Sequence, residues 1–485
     1  MTGPVTLARR TMGVGALLGV AAVASSPQTV LNGGIPATYA QSGVQGVPLS
    51  FVIVMGVLAL LAVGYVAVSR HVPHGAPFYA QLARGLGPGW GLAVAGIALL
   101  GYNCLQVSLF PLLGTAIAAM TGIGSWWMWA AAGWLVVLLL GRYPGAANAK
   151  FLGVLLACEI GIVLAFDIAA LSNPAQGLTL DGFVPSELFV TGGGAGALVF
   201  AAAAFAGAES LPAYGDEARS TGTIVIATFA AYGLLGGLYA LTSWAYAAVV
   251  GATRLSTGAV VDEPMAILAG TWGPGIGAMG TVLLITSVLA AMSALAGISA
   301  RYLRALGDDG VLPAALAAVS PGADGGAPRG GSLAQAAVSA VVLGGFVVAG
   351  VDPMGVMFVW LSTIGAVCIL GLLMLSSWSA VSFFGKGNGS RESVWVRQLL
   401  PGAGGVIGVL TLVFTGSNLP MMLGLPDGSP LPFQIGVPVL AVTVLLFVVR
   451  GRWLKRHRPQ IYEQLGYRRV DPLRVRDPRI VGLKL

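Results

Sequence analysis

Apolar runs separated by short polar or charged segments recur along the whole chain. A helix that crosses a bilayer needs roughly 17–25 predominantly apolar residues. Runs of that kind lie at 12–38, 48–69, 89–120, 125–141, 148–171, 193–215, 223–250, 274–304, 332–350, 354–384, 400–417 and 432–451. They predict an all-α polytopic membrane protein of about twelve transmembrane helices. The run 148–171 opens near Lys150 and carries Glu159 and Asp167, so it is not a plain lipid-facing helix. Glu159 lies mid-run, whereas Asp167 lies close to an end and reads as interfacial.

The polar segments between the runs orient the bundle. With the N-terminus placed inside, the outer loops hold only Arg254, and the other 24 of the 25 Lys and Arg fall on inner loops and the tail. Such asymmetry is the mark of a correctly threaded membrane topology. It predicts a multi-pass inner (plasma) membrane protein with both termini in the cytoplasm. Trp126, Trp127 and Trp129 cluster at an expected outer end, as an interfacial aromatic belt would. The tail after Trp453, with Lys455, Arg456, Arg458, Arg468 and Arg469, reads as a solvated cytoplasmic segment or one in contact with anionic lipid headgroups.

Composition narrows the classes further. Hydrophobic residues make up 56% and charged residues 9%, with mean hydropathy +0.86, against about 25% charged in soluble domains. The 72 glycines suit close packing of membrane helices. The net charge of +7 follows from topology and does not argue for a nucleic-acid partner. Cys104, Cys158 and Cys368 each lie in an apolar run, which speaks against a disulfide or metal site. His71, His74 and His457 lie outside the runs, so no buried histidine cluster is expected and no cofactor is implied. Arg9-Arg10, the apolar run and Ala24-Ser25 imitate a secretory signal, but the run continues past Ser25 and many further spans follow. No nucleophile–base pair or phosphate loop points to an enzyme.

Two spans are interrupted. The first contains Ala24-Ser25-Ser26-Pro27-Gln28, where Pro27 lacks an N–H and opens the helix, with Asn32-Gly33-Gly34 and Pro36 beyond it. The sixth contains Phe205-Ala206-Gly207-Ala208-Glu209-Ser210 and then Pro212. Broken segments at corresponding places in two halves point to a transporter binding site. If the first ten spans form two repeats of five, the odd number makes them inverted. The chain then divides into an N-terminal segment 1–11, repeats 12–171 and 193–384, a helix pair 400–451 and a basic tail 452–485.

An unwound helix exposes N–H groups that can hold a carboxylate and carbonyls that can hold an ammonium, and an amino acid zwitterion needs both. Ser25, Ser26, Pro27 and Gln28 would line the carboxylate end, and Phe205, Ala206, Gly207 and Glu209 the amine end. A carboxylate at mid-membrane costs about 2.5–3.5 kcal/mol on insertion scales. Two readings are open for Glu209: a coupling proton site or substrate counter-charge, and a structural acid bonded to the broken helix. Glu159 is the other proton-coupling candidate and carries the same two readings. Asn103 and Gln106 share a side of the third span, either lining a pocket or bonding a neighbouring helix.

Four stretches resemble the amino acid–polyamine–organocation superfamily and its amino acid permeases of LeuT-type fold. Arg70-His71-Val72-Pro73-His74-Gly75-Ala76-Pro77-Phe78-Tyr79 is similar to the family's Pro-x-Gly-x-x-Tyr loop. Phe205–Glu209 followed by Gly215-Asp216-Glu217-Ala218-Arg219 is similar to its sixth helix and acidic exit. The stretch from Ser299 to Pro313 resembles the eighth-helix exit, and Pro328-Arg329 the opening of the ninth span. The resemblance covers nearly the whole chain. It implies a 5+5 inverted repeat plus two C-terminal helices, with broken first and sixth spans. It also implies a secondary amino acid permease, proton-coupled or an exchanger, working by alternating access on a small-molecule substrate. The first-helix break departs from the family's Gly-Ser-Gly type. Proton-coupled relatives often carry a lysine in span five, where Glu159 stands here, so a lysine mechanism does not transfer. A polyamine or organocation exchanger and a transport-inactive nutrient sensor of the same fold are the alternatives.

Overall fold

The computed structural model describes residues 12–142, 149–190, 193–215, 217–256, 264–320, 327–426 and 428–467. The first apolar run becomes α1 (Val14–Ser25), a short α2 (Pro27–Thr29), a π-helical turn at Val30–Gly34 and α3 (Ile35–Ser42). Then come α4 (Val47–Ser69), a loop helix α5 (Pro77–Gly85), and the long α6 (Pro88–Thr121), α7 (Trp126–Leu140) and α8 (Ala149–Ser172). The short α9 (Pro185–Leu188) leads to α10 (Gly193–Ala204), which breaks and resumes as a 3-10 segment, Ala208–Tyr214. After α11 (Thr221–Val250), α12 (Ala252–Ser256) and α13 (Pro264–Trp272) lie outside the long helices. The long helices α14 (Pro274–Asp308), α15 (Arg329–Ala349), α16 (Val359–Gly385) and α17 (Leu400–Ser417) follow. The short α18 (Leu419–Met422), the long α19 (Leu431–His457) and α20 (Pro459–Glu463) end the described chain.

Ten of these helical stretches are long and apolar enough to cross a membrane, the first counted as Val14–Ser42. Trp126–Leu140 is shorter, at 15 residues, and Ala149–Ser172 runs for 24 residues with its first side chains outside the described set. An all-helical fold follows from the solvent: hydrocarbon offers no hydrogen bonds, so each spanning segment must satisfy its own backbone. Among the described residues the sole β-bridge pairs Met12 with Ala218.

The core sits around α6, α16 and α14, and it depends on small residues at the crossings. A Cβ on Gly101 would lie 2.8 Å from the Cβ of Cys368, and one on Gly365 would lie 2.6 Å from Leu105 Cγ. Only bare backbone lets α6 and α16 approach this closely, and close approach with good packing is what drives helix association in lipid. The periphery is apolar too: Val341 and Val348 of α15 and Leu446 of α19 are 76%, 89% and 65% exposed.

Three of the stretches that resemble the permease family meet at one end of the bundle, the basic end. The Tyr302 hydroxyl of α14 accepts from Phe78 N, and Tyr79 donates to Asp309 at 2.8 Å. His74 lies 3.4 Å from the same carboxylate. Arg301 pairs with Glu217 at 3.2 Å, bonds the Tyr214 hydroxyl and lies over its ring. Met12 N donates to Glu217 O and Arg219 N to Met12 O, so the start of α1 is pinned to the exit of the sixth span. Gly466 N of the C-terminal segment donates to the Tyr79 hydroxyl. Burial, and then the charge of Asp309, raise the Tyr79 hydroxyl well above the ordinary tyrosine range.

One expectation changes. Asp167 is not interfacial: it is buried against α11 and accepts from Thr242 at 3.1 Å, because α11 covers that end of α8. Leu17 and Ala21 of the first run are fully buried where α1 packs against α11 and α14. Lys150, Asp216, Arg468 and Arg469 carry calls on side chains outside the described residues.

Candidate functional site

The break in the first span is narrower than the sequence predicts. α1 ends at Ser25, and Ser26 alone takes a left-handed conformation, with φ +50°; the helix restarts at Pro27. Among the described residues Ser26 is the only non-glycine with positive φ, a conformation that costs roughly 1–2 kcal/mol. Pro27 takes the first helical position, where its missing N–H is not needed. That same missing N–H leaves Val23 O without its usual i+4 donor.

The sixth span opens around Gly207, at φ +105°. Phe205 N and Ala206 N bond back only three residues, to Ala202 O and Ala203 O. Gly207 N donates to Glu209 Oε2 at 2.8 Å, so the carboxylate caps its own break. The two breaks touch. Ser25 Oγ donates to Ala204 O at 2.5 Å, and a Cβ on Gly207 would lie 2.4 Å from the Cβ of Ala24. Ser25 spends its one proton on Ala204 O, so the Tyr239 hydroxyl, 2.7 Å away, must donate to Ser25.

A cavity of about 70 Å³ lies against both breaks. The first span contributes Ser25, Ser26 and Thr29, and the sixth Phe200, Ala204 and Ala206; Leu105 and Ser108 of α6, Leu295 of α14, and Phe358 and Ser362 close it. Its polar side chains are hydroxyls, and no charged residue lines it.

Of the residues singled out in the sequence, Ser25, Ser26 and Ala206 line this cavity. Phe205 and Glu209 lie behind it, on a second, smaller cavity of about 10 Å³ shared with Tyr232 and Leu58. Glu209 is buried, and its Oε1 has no partner among the described residues. Gln28 is buried beyond the break, its amide oxygen accepting from Asn32 at 3.0 Å and its nitrogen without a partner among the described residues. Pro27 and Gly207 shape the backbone and do not line the cavity. Asn103 and Gln106 follow the helix-bonding reading: Gln335 of α15 donates to both at 2.8 Å, and Ser339 donates to Gln106 at 2.6 Å.

Glu159 is joined to the first break through a residue the sequence did not single out. Ser287 of α14 donates to Glu159 Oε2 at 2.7 Å and lies 2.8 Å from Ser26 Oγ. Ser26 Oγ is 2.6 Å from Thr29 Oγ1. The missed residues Thr29, Ser108, Ser287 and Ser362 are hydroxyls on apolar helices, where serine and threonine commonly bond their own backbone. No sequence signal separates those from the ones that face a cavity.

Comparison with curated proteins gives no match. Among solved structures, the chain is similar to the Eremococcus coleocola manganese transporter in complex with an aromatic bis-isothiourea substituted compound. That match has TM-score 0.56 and 13% identity, over 95% of this chain and 99% of that one. A histidine-to-alanine mutant of the manganese transporter from the same organism gives TM-score 0.54 and 14% identity, over 93% and 94%. At such identities the likeness establishes the polytopic transporter fold. The profile of the amino acid permease family matches residues 12–448, from the pinned start of α1 into α19, and the chain belongs to that family.

Proposed function

We propose that this multi-pass membrane transporter carries zwitterionic amino acids with uncharged side chains by alternating access, driven by protons or by exchange. The observation that carries the reading is the cavity set against both helix breaks and lined by hydroxyls and apolar groups alone. A zwitterion needs no charged side chain there. The restart after Ser26 offers the Gln28 N–H and a positive helix end to the carboxylate, since Thr29 N and Val30 N bond Ser26. The last carbonyls of α1, where Pro27 supplies no donor, offer acceptors to the ammonium. Leu105, Leu295, Phe200 and Phe358 leave an apolar room for the side chain. The basic end, bearing Arg70, Arg301, Arg304 and Arg450, is assigned to the cytoplasm by the positive-inside rule.

A polyamine would demand acidic walls, and none of the cavity residues is acidic. The structural neighbours are manganese transporters, and a divalent cation of that kind prefers carboxylate oxygens. Among the described residues no group of three or more His, Cys, Asp or Glu converges.

The deciding experiment is a thermal-shift screen of the purified protein against all amino acids, common polyamines and manganese, followed by uptake into proteoliposomes. Stabilisation and uptake of uncharged amino acids are expected. Stabilisation by polyamines or manganese alone would reverse the assignment, and binding without uptake would make the chain a sensor.

A further inference from the structure

We infer that Glu159 governs substrate binding through a wire of hydroxyls, Glu159–Ser287–Ser26–Thr29, whose direction reverses when the carboxylate gains a proton. The inference rests on the proposed amino acid cavity and adds to it the residues that link it to protons.

The argument is a count of donors. A hydroxyl has one proton to give. Ionised Glu159 only accepts, so Ser287 gives it its proton, at 2.7 Å. Ser287 can then only accept from Ser26, 2.8 Å away. Ser26 in turn can only accept from Thr29, at 2.6 Å, while Thr29 N also donates to Ser26 Oγ. All three protons point toward Glu159. Ser26 and Thr29 both line the cavity, yet neither hydroxyl has a proton left to offer into it. An incoming carboxylate, which accepts and cannot donate, meets lone pairs.

Now place a proton on Glu159 Oε2. Glu159 donates to Ser287, Ser287 to Ser26, and Ser26 to Thr29. The added proton frees one O–H at the far end, on Thr29 or Ser26, and that O–H faces the cavity. The balance is simple: one solvent proton is taken up, Glu159 changes from anion to neutral acid, and each hydroxyl exchanges the bond it donates for one it accepts. The same wire carries the proton inward, since a proton delivered to Ser26 from the cavity can pass through Ser287 to Glu159. Reversal also explains a costly choice of residue. Ser26 occupies a left-handed conformation at φ +50°, where glycine would sit without strain. Glycine would have no hydroxyl to place between Ser287 and Thr29.

The surroundings leave the wire to Glu159. Against α8 pack α1, α2, α11, α13 and α14. From those elements the titratable group whose charge is felt with that of Glu159 is Tyr239 of α11, whose hydroxyl is committed to Ser25. Along α8 itself, Asp167 lies two turns on and bonds Thr242.

The test measures binding of L-alanine and L-leucine to the purified protein between pH 5 and pH 8. Proton uptake on binding is followed with an indicator dye in weak buffer. Wild type should take up close to one proton per bound amino acid, with Kd weakening about tenfold per pH unit once Glu159 is ionised. Ser287→Ala removes no cavity wall but cuts the wire: it should still bind, with proton uptake near zero and a flat Kd. Glu159→Gln donates permanently through its amide and should bind at every pH with the affinity wild type reaches at low pH. Ser293→Ala, whose hydroxyl bonds Leu289 O of its own helix, should behave as wild type. Unaltered proton uptake in Ser287→Ala, or wild-type pH dependence in Glu159→Gln, overturns the wire and leaves the amino acid cavity standing. If Ser287→Ala fails to fold, Glu159→Gln decides alone. A wild type that binds neither amino acid overturns both.

Discussion

The Ser25 hydroxyl donates to the Ala204 carbonyl across 2.5 Å, joining the last residue of α1 to the last residue of α10. Each of these residues ends a half-helix, where the run of i+4 hydrogen bonds stops. One break therefore satisfies part of the other, and the cavity wall is built from both at once. This contact also ties together the two segments that the proposed alternating access would move, so it is a point where small changes in shape should have large effects.

Gly207→Ala should separate the breaks. The added Cβ would fall 2.4 Å from that of Ala24, at a residue with φ +105°. Strain of this kind costs about 1–3 kcal/mol before any clash is counted. A lowered Tm and lost uptake are expected. Gly56→Ala, at a position with open space around the new Cβ, should leave both unchanged. Equal behaviour of the two variants would mean the contact is dispensable.

Glu209→Gln should insert and fold, because its amide oxygen can still accept from Gly207 N. Glu209 lies behind the cavity, on the side of Tyr232. Amino acid Kd should stay within about threefold and keep its pH dependence, while uptake falls at least tenfold. Glu209→Ala should also unfold more easily, since an unpaired buried N–H costs about 1–3 kcal/mol. Wild-type uptake in Glu209→Gln would make the residue purely structural.

Glu217→Gln should ease opening of the basic end. It weakens the pair with Arg301 that, with Tyr214, joins the exit of the sixth span to α14. A reporter cysteine at Ser108, on the cavity wall, introduced in a Cys158→Ser background because Cys158 is exposed, should react faster with an impermeant thiol reagent supplied from the basic side. An unchanged rate would show that the pair does not hold that end closed.

Tyr79→Phe should destabilise the protein by about 1.5–3 kcal/mol, the range for a hydrogen bond to a charged group. It removes the donor to Asp309 and the acceptor of Gly466 N. Burial and Asp309 raise the Tyr79 hydroxyl above its ordinary range near pH 10. A group raised in the folded state stabilises below its unfolded value and loses that contribution as pH rises through the folded one. The difference in Tm between wild type and variant should therefore be constant from pH 6 to pH 9. A difference that shrinks within that window would mean the hydroxyl titrates there.

The sequence by itself determined the class of fold, the place of the helices and the two interruptions. These are local consequences of hydrocarbon as a solvent: apolar length sets a span, and Pro27 and Gly207 break a helix wherever it packs. It also marked Glu159 and Glu209 as exceptional, since a carboxylate in an apolar run is costly in any arrangement. It did not say what those carboxylates touch. Only the packing of α8 on α14 set Ser287 between Glu159 and Ser26, and only the packing of α15 on α6 turned Asn103 and Gln106 from pocket candidates into partners of Gln335. A serine or glutamine on an apolar helix satisfies itself locally or across an interface at similar cost. Its partner is therefore fixed by helix rotation and crossing, which are set by contacts far apart in the chain.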